Sequence, residues 1–152
     1  MGGSVRLQAR AVFRAAPHHV WAVLSDWERQ ADWMPDVAWI HVTGSERALG
    51  AALQARTKVM GLPLVTDRLT VDRWEPPQRL GVVHQGLVRG RGDWLLEPFT
   101  GGTRLTWKEQ LTLPPPLVGS LALWLYAPIQ RWMLRRSIRN LRALVERPPV
   151  GS

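Results

Sequence analysis

From Asp36 to Gln110 the chain reads as short alternating runs of apolar and polar residues, each closed by glycine or proline. Alternate side chains of a strand point to opposite faces, so such runs build a sheet with one wet face and one face that must be covered. The runs are Val37–Val42, Ala51–Val59, Leu64–Trp74, Leu80–Gln85, Trp94–Phe99 and Thr103–Thr112, with Gly90-x-Gly92 expected between the fourth and fifth. Thr103–Thr112 is the clearest. Its outward set is Arg104, Thr106, Lys108, Gln110 and Thr112, and its inward set is Leu105, Trp107, Glu109 and Leu111.

Ahead of this meander, VRLQARAVF at 5–13 alternates in the same way and adds a seventh strand. Pro17 then suits the first turn of a helix, where its missing N–H is no loss. Val20, Trp21 and Leu24 follow at helical spacing, and a second short helix is expected to end near Trp33-Met34-Pro35. After Pro114-Pro115-Pro116 the period becomes helical up to Glu146. There Leu134, Ile138, Leu141 and Val145 form one stripe, opposite Arg131, Arg135, Arg139 and Arg142. Pro128 predicts a kink or a fresh helix start.

The order β-α-α-β-β-β-β-β-β-α predicts an α+β domain, a seven-stranded antiparallel sheet covered by one long C-terminal helix. One domain spans 1–152, with its core at about 5–146. Nine tryptophans and a 45% hydrophobic composition argue against disorder. The absence of cysteine excludes a disulfide scaffold, a cysteine nucleophile and Cys-ligated metal. The first residues lack an apolar h-region, so a cytoplasmic protein without a signal peptide is expected. Four histidines without ligand spacing give no metal site. No phosphate loop or nucleophile elbow is present, and no cofactor is expected.

The motif Pro17-x-x-Val20-Trp21-x-x-Leu24-x-Asp26, followed by Trp33-x-Pro35, resembles the opening of the START-like helix-grip superfamily. Pro76-Pro77-x-Arg79-Leu80 and Gly101-Gly102-Thr103-x-Leu105 fit the same pattern. That grouping includes polyketide cyclases/dehydrases, lipid-transfer domains and birch-pollen-allergen-like proteins. The resemblance implies a curved sheet gripping the C-terminal helix, and a cavity between them for a hydrophobic or amphipathic molecule. The ligand class it implies is lipid, isoprenoid/quinone or polyketide-like. A carrier or binding module is the first expectation and an aromatase/cyclase-like enzyme the alternative.

Candidate site residues follow from the inward faces. Glu109 falls in phase with Trp107, Asp67 with Val65 and Leu69, and His84 with Leu80 and Val82. An unpaired carboxylate in an apolar space finds a donor or stays protonated, so Glu109 is either a proton-transfer group or the partner of an arginine at the rim. Asp67 and His84 are further catalytic candidates. Trp33, Trp94, Trp107, Glu109 and Tyr126 are the expected ligand contacts, with Trp33 capping one end of the cavity. One isolated carboxylate suits a carrier; two or three convergent titratable groups suit a catalyst.

A formal charge of +8 invites an anionic partner. Nucleic acid is not expected, because no base-stacking platform accompanies the arginines. Leu117–Ile129 is uncharged and too short to span a bilayer as a helix. With Arg131, Arg135, Arg136, Arg139 and Arg142 following, it could rest on an anionic membrane surface. The competing expectation is a sheet-covering helix whose basic back faces water. A third possibility is that this helix recruits a partner protein.

Overall fold

The computed structural model describes residues 3–59, 62–113 and 120–146. Its seven strands are β1 (Gly3–Phe13), β2 (Val37–Thr43), β3 (Ala52–Val59), β4 (Leu62–Glu75), β5 (Arg79–Gln85), β6 (Arg89–Phe99) and β7 (Gly102–Leu113). They form one sheet in the order β1-β7-β6-β5-β4-β3-β2, antiparallel at every step. Helix α1 (Pro17–Leu24) and a 3₁₀ helix (Trp27–Asp32) follow β1, and α2 (Ser120–Val145) closes the chain. The register shifts near Val37, Thr57 and Val71, and such irregularities bend a sheet. This is a helix-grip fold.

The expected faces determine the core. Val5, Leu7, Ala11 and Phe13 of β1 are buried, as are Leu105 and Trp107 of β7. From α2, Leu134, Ile138, Leu141 and Val145 are all buried against the sheet. Arg142, on the flank of that stripe, lies over the Phe13 ring at 5.6 Å and donates to the Val12 carbonyl at 3.4 Å. It therefore ties α2 to β1.

Two expectations about boundaries need correction. The sixth strand begins at Arg89, so Gly90 and Gly92 lie inside it and not between strands. Both are paired in the ladder, Gly90 with Leu111 and Gly92 with Glu109. Of the two outcomes expected at Pro128, a fresh helix start does not occur, since the proline lies inside the single helix Ser120–Val145. Its missing N–H removes a single hydrogen bond, and the buried stripe from Leu134 to Val145 holds the helix on the sheet beyond it.

Candidate functional site

Between the inner face of the sheet and α2 lies a cavity of about 150 Å³. On the scale where one water occupies about 10–15 Å³, it holds on the order of ten waters. Its wall is mostly aliphatic and indole, with Met133 and Leu134 contributed by α2. Asp36, Asp67, His84 and Glu109 all line it.

Glycine creates the central feature of this wall. His84 on β5 and Glu109 on β7 sit on either side of β6, offset from each other by two residues along the strands. In register Gly92 lies beside Glu109 while His84 pairs with Gly90, so the Glu109 side chain passes over Gly92: a Cβ there would lie 2.9 Å from Glu109 Oε1. With glycine at that place, Glu109 Oε2 comes within 3.8 Å of His84 Nε2. Gly86 does the same for Asp67, whose carboxylate a Cβ would overlap. The freed Asp67 Oδ1 accepts the Leu87 N–H at 2.8 Å.

The electrostatics follow from this enclosure. Glu109 is 15% exposed, and burial pushes its carboxyl from 4.5 up to about 8. The Trp107 indole N–H, donating to Oε1 at 2.8 Å, opposes that rise, while Asp36 and Asp93 add to it. Burial pushes His84 below its ordinary value, with Asp67 working against it. Near neutral pH both members are uncharged, so 3.8 Å separates an acid from a base and is neither an ion pair nor a hydrogen bond. Burial also raises Asp36. Nε2 of His84 and Nε1 of Trp94 are buried without a hydrogen-bond partner among the described residues.

Of the expected contacts, Trp94, Trp107 and Glu109 line the cavity. Trp33 stands behind the wall, its ring edge-on to Trp107 at 5.9 Å, with its carbonyl accepting from Asn140 Nδ2 at 3.1 Å. Tyr126 belongs to α2, and its side chain falls outside the described residues. No arginine or lysine lines the cavity among the described residues. Sequence reasoning missed Asp36, Trp27 and the two lining methionines, Met34 and Met133. Asp36 follows Pro35 at a turn, where no periodicity assigns a face. Met133 adjoins the Leu134 stripe and was in principle visible.

A sheet wrapped on a long helix around an apolar cavity defines the START-like helix-grip class of ligand-holding domains. The model of the polyketide cyclase/dehydrase and lipid transport family matches residues 4–146, and the chain belongs to that family. No curated protein sequence matches the chain. Among solved structures it is similar to the di-domain ARO/CYC StfQ of the steffimycin biosynthetic pathway. That match has 15% identity and a TM-score of 0.77, covering 94% of this chain and 51% of StfQ. The chain thus spans about half the length of that di-domain protein. A START superfamily protein from Mycobacterium smegmatis shares 14% identity at a TM-score of 0.77, covering 95% of this chain and 98% of that one. Truncated norcoclaurine synthase from Thalictrum flavum shares 12% at a TM-score of 0.70, covering 97% of each. At these identities the likeness is one of fold.

Proposed function

We propose that the chain binds a small hydrophobic molecule between sheet and α2 and moves a proton on it with Glu109 and His84. The observation that carries this reading is the uncharged acid–base pair at 3.8 Å on the cavity wall. Asp36 and Asp67 line the same space. Several convergent titratable groups favour a catalyst over a passive carrier. A neutral carboxyl can give a proton to a developing alkoxide or enolate, and a neutral imidazole beside it can take one. Such a step suits ring closure or loss of water, with the walls holding the reacting atoms together.

The probe 5-nitrobenzisoxazole tests for a working base in an apolar cavity, because loss of its C–H proton opens its N–O bond. The expected result is saturable turnover that rises with pH to a midpoint near Glu109's value of about 8 and is lost in Glu109→Gln. Turnover unchanged in Glu109→Gln contradicts the reading.

The outer face of α2 supports a second role, contact with an anionic membrane. Trp132 is 57% exposed and Ile129 39%. Arg131, Arg135, Arg136 and Arg139 are exposed around them, and none takes part in an ion pair among the described residues. Indoles anchor at the lipid interface, and each arginine near an anionic surface adds about 1 kcal/mol. No helix among the described residues is long and apolar enough to cross a membrane. The chain is expected to float with phosphatidylserine vesicles at low salt and to stay behind when Trp132 and Arg136 are replaced. Absence of flotation at low salt removes this role.

A further inference from the structure

The cavity wall is lined by acidic groups although the chain that builds it is basic. The formal charge of the chain is +8, yet the described wall holds three carboxyl groups and no arginine or lysine. Trp27, Trp94 and Trp107 add indole surface to the same wall. Trp94 is 4% exposed and, among the described residues, neither its N–H nor the buried Nε2 of His84 has a hydrogen-bond partner. Polar atoms left open in a cavity wall take their partners from what fills the cavity, water or the polar group of a ligand.

These features discriminate between head groups. A carboxylate or phosphate would enter beside three acidic groups with no arginine or lysine among the described lining residues to balance its charge, and a buried anion without a cationic partner is costly. A protonated amine would meet carboxylates and indole faces, both of which attract cations. Its N–H donors match Glu109 Oε2 and the free nitrogen of His84, leaving the Trp94 N–H for an oxygen of the ligand. We infer that the cavity takes a hydrophobic amine in preference to an acid of the same carbon skeleton, an inference that rests on the cavity reading above. Burial holds Glu109 uncharged in the empty wall. A cation beside it permits ionisation, so the counter-charge forms where the amine binds.

Octylamine, octanol and octanoate, matched in chain length, test the inference when titrated into the full chain near neutral pH. Met34 and Met133 line the cavity, so isotope-labelled methionine methyls report occupancy there and not on the arginine-rich surface. Octylamine is expected to bind tightest, about tenfold or more ahead of octanoate, with octanol between them. Glu109→Gln narrows the lead of octylamine over octanol, and Asp36→Asn does the same should the first variant fail to fold. Octanoate binding as tightly as octylamine overturns the charge inference and leaves the cavity reading standing. If no probe shifts either methionine, the cavity reading itself falls.

Discussion

The two faces of the sheet treat carboxyl groups in opposite ways. On the outer face, Arg91 sits between Asp72 and Asp93, at 2.9 Å and 2.7 Å, with about a third of each side chain exposed. Those contacts raise the guanidinium's pKa, so the outer group is a set of fixed charges. On the inner face, Glu109 has an indole N–H and an uncharged imidazole for neighbours and stays protonated near neutral pH. Residues 91, 92 and 93 of one strand serve both arrangements, charges pointing outward and a glycine inward beneath Glu109. Water and a guanidinium keep a carboxylate charged; an apolar wall without a cation leaves it poised to exchange a proton.

Trp107→Ala should show the largest effect. Trp107 is 4% exposed, packs on Trp33 and Trp94, and supplies Glu109's N–H donor. Loss of that volume is expected to destabilise the fold by about 3–5 kcal/mol, measured by urea unfolding.

Next comes the dependence of stability on pH. Glu109 holds its proton up to about 8 in the fold, against 4.5 for an ordinary glutamate. Between those values the folded state binds the extra proton, so stability falls as pH rises through the window. The limiting slope is about 1.4 kcal/mol per pH unit, and partial exposure reduces the whole drop to on the order of 2 kcal/mol. Unfolding of Glu109→Gln across the same range should lack this decline, and an identical decline in the variant would exclude Glu109 as its source.

The smallest effect belongs to the outer face. Arg91→Met should cost about 1 kcal/mol or less, because partly exposed pairs are screened. A loss as large as that of Trp107→Ala would end the contrast between the faces.

The fold was legible wherever side chains mark a face. The alternation in Thr103–Thr112 placed Trp107 and Glu109 inward, and the stripe from Leu134 to Val145 placed α2 on the sheet. Glycine marks no face, so the start of β6 at Arg89 was hidden by Gly90 and Gly92, the second of which makes room for the Glu109 carboxyl. Phase also placed Asp67 and His84 with their apolar neighbours. Whether His84 and Glu109 meet depends on register across β5, β6 and β7, which no single segment encodes. The sequence equally allowed an arginine beside Glu109; the direction of the neighbouring side chains decided against it among the described residues.

The most direct test of the account follows the side-chain carboxyl resonance of Glu109 against pH in the full, unliganded chain. A midpoint near 8 is the expected result. A midpoint of about 4–5, the ordinary range for glutamate, would mean that the wall keeps Glu109 charged, and the contrast between the two faces would be lost.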